Sequence, residues 1–357
     1  MSMHDEDQYR DRLLIELIAE YLQFDTLAER IPGPDIYPPY LLVGAAVFVE
    51  YGIFDLYNYF VSGNNSFVVE PNSLAVPAMV ILGVVGARYI HDTYDTAVAR
   101  LRIEERDTTA EPELFEGLVS LRIRVGLWLL TVLITKAFAM FVLGFANLVA
   151  IDGIGLFLYG QLVFPLVYLP VLVEFGLAYF AVHLIVPWRL RRAEIGLFFH
   201  DPRKMGGLQP VGELLKRSYY LYTAVLILYF VQTKVPVLLS EYIDTPYQAA
   251  ETPIIDLVLT VGWGVGVLTI AYSMFRIHQI MKHEKEQRIQ ALESELTTVM
   301  DDPFDVHAAE VTDPDRYETI QNRLQYVRET KTYPTTFTMW SQIFISVLLP
   351  QALSMVV

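Results

Sequence analysis

The sequence predicts an all-α polytopic membrane protein. It would have seven transmembrane helices, a cytoplasmic N-terminus, an extracellular C-terminus and helical extensions on the cytoplasmic side. Three observations predict it. Of the 357 residues, 54 % are hydrophobic, above the roughly 45–50 % of soluble chains, and the excess is gathered in long runs. The chain has no cysteine, which removes disulfides, thiolate metal sites and cysteine nucleophiles. Lys and Arg fall in alternate connections between the apolar runs, the pattern of loops kept on the cytoplasmic side.

Residues 1–34 come first. Tyr9, Leu13, Leu17, Tyr21 and Phe24 recur at helical spacing over 7–29, with acids and arginines between them, and Pro32-Gly33-Pro34 ends the pattern. This is an amphipathic helix that lies either at the inner interface or against a cytoplasmic bundle. Asp5, Glu6, Asp7 and Asp11 stand where a signal peptide would be basic, so no leader is expected.

Residues 35–275 hold six runs near the about 20 apolar residues that a span needs: 39–61, 73–90, 122–149, one within 154–188, 218–240 and 253–275. The connection after the second carries Arg100, Arg102, Arg106, Arg122 and Arg124. The one after the fourth carries Arg189, Arg191, Arg192, Lys216 and Arg217 among others, and the one after the sixth is equally basic. The connections near 62–72, 150–153 and 241–252 carry neither Lys nor Arg. The run 154–188 would be about 52 Å long as one helix, and Pro165 and Pro170 would kink or split it. Splitting would put every later basic loop outside, so one long span is expected. Asn64 opens Asn64-Asn65-Ser66 in the first outer loop, either a glycosylation site or a chance triplet.

Residues 276–334 continue the sixth helix into the cytoplasm. Ile289, Leu292, Leu296 and Val299 form a seam that needs a partner helix. Asp301-Asp302-Pro303 ends it, an acidic mobile loop over 301–315 follows, and Tyr317, Ile320, Leu324 and Val327 mark another amphipathic helix. Tyr333-Pro334 then breaks the chain from a seventh span, 335–357.

Ionisable side chains inside a bilayer are costly and mark function by default. Glu50, Lys136 and Glu174 are expected at similar depth, as one midplane cluster in which Lys136 neutralises a carboxylate. The cluster would be either a structural ion pair or a ligand or ion site. Aromatic residues at the outer span ends, Tyr51, Phe54, Tyr159 and Tyr168 among them, form an interfacial belt or line a pocket. In His200–Arg217, Arg203, Lys204, Gly206 and Gly207 make either a tight turn whose bases meet anionic lipid headgroups or a backbone cradle for phosphate. The spacing is not that of a P-loop. The seven His include no zinc-ligand spacing, and no GxSxG or GxGxxG is present, so no metal, cofactor or enzyme activity is expected. A retinal protein would need a lysine in the last span, and none is there. The net charge of −15 is that of a halophilic surface, hydrated by carboxylates in high salt.

On the last span Thr338, Gln342 and Ser346 fall at i, i+4 and i+8, one polar stripe, with Ile345 beside it. Such a stripe lines water or bonds packed helices together. Thr335-Thr336, five residues, then Gln342-Ile343 has the spacing of a last-helix signature, Thr-Tyr, five residues, Gln-Phe, with Thr336 for the Tyr and Ile343 for the Phe. With the seven-span plan and the long cytoplasmic extensions, the chain resembles the seven-transmembrane ion channels typified by insect odorant and gustatory receptors. The resemblance implies a homotetramer whose last helix lines a pore, with Gln342 facing it, and a small-molecule pocket among the outer halves of the earlier spans. The expected function is a poorly selective cation channel of the plasma membrane. The alternatives are a secondary transporter built on the Glu50/Lys136/Glu174 site and a non-transporting sensor or scaffold. The expected partners are the lipid bilayer, further copies of the chain, permeant cations and a small ligand, with no nucleic acid.

Overall fold

Backbone N–H and C=O groups find no partner in hydrocarbon, so apolar runs of this length close their hydrogen bonds internally as helices. The computed structural model describes residues 12–32, 35–62, 67–68, 71–106, 112–240, 253–305 and 310–334. Five helical runs in it are long and apolar enough to cross a membrane: Pro38–Val61, Pro71–Leu101, Leu121–Phe141, Ile154–Arg192 and Leu257–Thr297. The stretch 218–240 belongs to a further long helix of 32 residues, Gln209–Ser240. The stretch 335–357 lies outside the described residues.

In chain order the helices are α1 (Leu14–Tyr21), α2 (Phe24–Arg30), α3 (Pro38–Val47), α4 (Leu56–Ser62), α5 (Ala75–Leu101) and α6 (Leu121–Phe138). There follow α7 (Phe145–Val163), α8 (Leu169–Phe180), α9 (Val186–Arg192), α10 (Gln209–Ser240), α11 (Pro253–Thr297) and α12 (Pro314–Glu329). π-Helical stretches, Phe48–Asp55, Phe164–Tyr168 and Ala181–Ile185, join α3 to α4, α7 to α8 and α8 to α9. They keep the long run through Pro165, Pro170 and Pro187 helical: a widened turn absorbs the missing N–H and the ring of each proline. The single long span expected over 154–188 is therefore one unbroken run, Ile154–Arg192.

Two expectations change. The third span does not reach residue 149. It ends in a π turn, Ala139–Leu143, and the chain reverses at Gly144, whose φ of +76° favours glycine. The expected connection at 150–153 is thus part of α7. The acidic stretch after α11 is not wholly a loop: Met300–Asp301 pairs antiparallel with Glu310–Val311. Asp313 then caps α12 by accepting from the Arg316 N–H at 3.1 Å.

α5 lies at the centre of the bundle, burying Val80, Val84, Ala87, Ile90, Tyr94 and Val98 at helical spacing. Gly83 and Gly86 let α8 approach it. A Cβ on either would come within 2.8 Å of Val171 or Phe175, the close contact that small residues permit between membrane helices. Tyr179 of α8 ties three helices together. It stacks on Tyr222 of α10 at 4.2 Å, an arrangement that contributes about 0.5–1.5 kcal/mol beyond burial. Its hydroxyl shares a 2.7 Å hydrogen bond with Thr269 of α11. On the rim, α6 leaves Leu129, Leu130, Leu133 and Ile134 at least half exposed, a surface that suits lipid or a neighbouring subunit. The C-terminal part of α11, Val299 just past its end and α12 form a second, smaller core of Leu292, Val299, Ile320, Leu324 and Val327.

The N-terminal segment differs from its expected stripe. The helix Leu14–Tyr21 has its tip in the bundle, so Leu13, Leu14 and Ile15 are buried while Tyr21 is 87 % exposed; Tyr9 lies outside the described residues. Gln23, at φ +63°, breaks it from α2. The segment packs against α3, α6 and α8.

Candidate functional site

The three intramembrane charges occupy three separate settings. Glu50, in the π-helical stretch Phe48–Asp55, accepts a hydrogen bond from the Tyr168 hydroxyl. Tyr159 lies within electrostatic reach of it and donates to the Ala46 carbonyl at 2.6 Å. Lys136 donates to the Gln161 carbonyl at 3.0 Å and to the Gln161 side-chain oxygen. Glu174 meets the Arg124 guanidinium at 3.5 Å, with the two side chains 1 % and 2 % exposed. It also accepts from the Leu14 N–H at 2.7 Å, while Arg124 donates to the Arg12 carbonyl at 2.6 Å. The expected single cluster is thereby corrected: Lys136 bonds to Gln161, and the cation on Glu174 is Arg124. The reason is depth. Lys136 stands twelve residues beyond Arg124, about 18 Å along α6, and Glu174 is at the level of Arg124.

The Glu174–Arg124 pair holds the start of α1, whose first N–H groups have no partner within the helix. Glu174 accepts from Leu14 and Glu16 from Leu13 at 2.8 Å, and carboxylates suit the positive end of a helix. Glu16 further accepts from Arg88 at 3.0 Å and from the Tyr37 hydroxyl at 2.5 Å. One polar network thus joins the N-terminal segment to α5, α6 and α8.

The segment 200–208 is a turn closed on its own carboxylate. Asp201 accepts from the backbone N–H groups of Arg203, Met205 and Gly207 at 3.0, 3.1 and 3.0 Å. Those are the donors that a phosphate would have used. Burial would raise the Asp201 carboxyl, but these three N–H groups and the charge of Arg203 hold it below the usual value. Gly206 and Gly207 have φ of +62° and +74°, and a Cβ on Gly207 would lie 2.4 Å from the Arg106 guanidinium. That guanidinium donates to the carbonyls of Leu101, Gly196 and Gly207. Arg203 bonds to Gln209, and Lys204 pairs with Glu329 of α12 at 2.7 Å. The phosphate-cradle alternative is corrected, because a side chain of the chain itself fills the cradle. Asp201→Ala is expected to cost on the order of 2 kcal/mol of stability at neutral pH. A carboxyl depressed by folding stabilises fully above its unfolded value. The gap between wild type and variant in thermal unfolding therefore shrinks as pH falls below about 3.9 and through the lowered folded value. A gap that stayed constant into strong acid would count against this role.

The turn also supports the approach to the last predicted span. Lys331 N–H donates to the Lys204 carbonyl at 2.7 Å. Lys285 of α11 donates to the Arg328 and Thr330 carbonyls, both at 2.7 Å, and burial lowers its pKa. His278 stacks on Tyr333 at 4.2 Å and bonds through Nδ1 to the Thr332 carbonyl at 3.0 Å. Gly212 of α10 lies so near Pro334 that a Cβ there would be 2.2 Å from the proline carbonyl oxygen. Residues 330–334 are thus held from three sides by α10, α11 and the turn.

No protein-family model, curated protein or solved structure matches this chain. Thr338, Gln342, Ile345 and Ser346, the residues expected to line a pore, lie outside the described residues, as does Asn64. Gly212, His278 and Lys285 were not singled out by the sequence, and Tyr333 was read only as part of the break before the last span. Their only local signal was a glycine in the first turn of a helix and a histidine and a lysine on one long helix. Among the described residues no three His, Asp or Glu side chains are grouped to hold a metal. The arrangement is mechanical: it holds Thr330–Pro334 against α10 and α11.

Proposed function

We propose that this protein is an oligomeric, poorly selective cation channel of the plasma membrane rather than an enzyme. In this reading it has seven spans, a cytoplasmic N-terminus and an extracellular C-terminus. Four copies place the last span, with Thr338, Gln342 and Ser346, around a water-filled axis. A small ligand acting among the outer halves of the earlier spans biases the opening.

The observation that carries the reading is the collar around Thr330–Pro334. A helix that lines a pore has to be set in angle and register at one end, and Gly212, His278, Lys285 and Lys204 hold its approach in that way. Polar groups of moderate strength along such a helix fit weak selectivity. A carrier working through one Glu/Lys site is less favoured, since Lys136 is bonded to Gln161 and stands apart from the Glu174–Arg124 pair.

The test is conductance of the purified protein in planar bilayers. Wild type is expected to give unitary cation currents, and Gln342→Leu to reduce them severalfold by removing a polar group from the stripe. Currents that are absent, or untouched by the substitution, sink the pore reading.

A further inference from the structure

Where the apolar surfaces of α9 and α11 give way to charge, the two helices border a cavity of about 880 Å³. One face of each helix runs down into it. Leu184, in the π-helical stretch before α9, and Trp188 lead to Arg191, and Leu268, Tyr272 and Phe275 lead to Arg276 and Gln279. All five of the leading apolar side chains are exposed. Arg192 lies over the Trp188 ring at 5.4 Å and Arg276 over the Tyr272 ring at 5.7 Å. Arginines stacked on aromatics at the end of an apolar face mark the level of lipid headgroups.

The lining is divided by charge. Arg191 and Arg276 come first, at the apolar edge. Glu194, two residues past the end of α9, and Glu284 of α11 come further along the chain, three and eight residues on. Lys282 and Glu286 hold each other at 3.7 Å. Among the described residues neither arginine has a carboxylate within ion-pair distance, and neither Glu194 nor Glu284 has a lysine or arginine so placed. The two carboxylates also repel each other. Burial raises the Glu284 carboxyl and, against the attraction of His283, the charge of Glu194 raises it further. The cavity therefore offers two arginines without a carboxylate partner nearest the apolar edge and two carboxylates without a lysine or arginine partner beyond them.

We infer that this cavity binds the headgroup of an ethanolamine phospholipid, its phosphate on Arg191 and Arg276 and its ammonium between Glu194 and Glu284. In such a lipid the phosphate is next to the acyl chains and the amine extends away from them, which is the order of charges in the cavity. Arginine suits the phosphate because its fork donates two parallel hydrogen bonds. A primary ammonium has three N–H donors for two carboxylates, and a choline headgroup has none. A glycerol headgroup or free phosphate would leave the carboxylates facing each other without a cation. The acyl chains would lie along Leu184 and Trp188 on one side and Leu268, Tyr272 and Phe275 on the other. The inference does not depend on whether the chain conducts ions.

The test is native mass spectrometry of the full-length protein in non-ionic detergent, with ethanolamine, choline and glycerol phospholipids of equal chain length, and with inorganic phosphate. Wild type is expected to retain the ethanolamine lipid about tenfold better than the other two, a difference matching one or two charge-assisted hydrogen bonds. Arg276→Gln should reduce that retention by about the same factor. The double variant Glu194→Gln/Glu284→Gln should shift the preference towards the glycerol lipid. Arg191 and Glu194 are exposed and Arg276 and Glu284 part-exposed, so thermal unfolding unchanged from wild type verifies that the variants fold. Equal retention of the three lipids overturns the inference, as does an ethanolamine preference that survives either variant. Displacement of the lipid by inorganic phosphate would instead show a plain anion site.

Discussion

Glu174→Leu is expected to lower the stability of the solubilised protein by about 3–5 kcal/mol, because it takes a buried carboxylate away from the Arg124 guanidinium. Few single substitutions cost that much. The loss extends beyond the pair. The Leu14 N–H, bonded to Glu174 at 2.7 Å, also loses its acceptor, so the start of α1 should loosen and Leu13, Leu14 and Ile15 should become open to solvent. Arg124→Met should cost a similar amount, since it takes a cation away from Glu174 and a donor from the Arg12 carbonyl. The informative comparison is the double variant. Removing both side chains removes the contact as a whole, so the double should be less destabilised than the sum of the singles by about 1–3 kcal/mol. Thermal unfolding in one detergent and hydrogen exchange over residues 12–21 measure both effects. Strict additivity, or unchanged exchange at the N-terminal segment, would show that the pair does not hold α1 in place.

Gly212→Ala should disturb the collar out of proportion to its single methyl group. The new Cβ would sit 2.2 Å from the Pro334 carbonyl oxygen and 3.0 Å from its carbon. Both are backbone atoms, so no rotamer change relieves the clash and residues 330–334 have to move. Overpacking of this kind costs about 1–3 kcal/mol. It should also separate Tyr333 from His278 and make the connector more open to proteolysis. Gly264→Ala is the control. It lies on α11 with nothing within 4 Å of its added Cβ, and alanine favours a helix over glycine by about 0.5–1 kcal/mol, so it should be neutral or slightly stabilising. In the channel reading Gly212→Ala also changes open probability while Gly264→Ala does not. Equal behaviour of the two variants in proteolysis and unfolding would remove the collar from the account.

Much of the helical layout was legible because its causes are local. A run of about 20 apolar residues has to be a helix in hydrocarbon whatever stands beside it, and Pro38–Val61, Pro71–Leu101 and Ile154–Arg192 follow from that alone. The seam over Ile289–Val299 and the stripe over Tyr317–Val327 each carry a helical period, and each needs a partner. That they meet in one small core follows from the short connection between them. The reversal at Gly144 was missed because the apolar run continues through it without a polar break, and the sign of φ at one glycine is not written in hydropathy.

The candidate site was less legible. Counting residues from the ends of spans placed Glu50, Lys136 and Glu174 at one depth, and each proved to have a different neighbour. Arg203, Lys204, Gly206 and Gly207 were picked out for their types, but the residue that organises them is Asp201, whose carboxylate takes the N–H groups a ligand would have used.

By itself the sequence determined which segments are helical, which are long and apolar enough to cross a bilayer, and where basic side chains gather. These follow from length, periodicity and composition within a few turns of chain. Only the tertiary structure decided which charge neutralises which. Glu174 finds Arg124 at a separation of 50 residues and Leu14 at 160. Such pairings depend on the depth and rotation at which whole helices pack. Small side chains such as Gly83, Gly86 and Gly212 set that packing, and their effect appears only when the partner helix is in place.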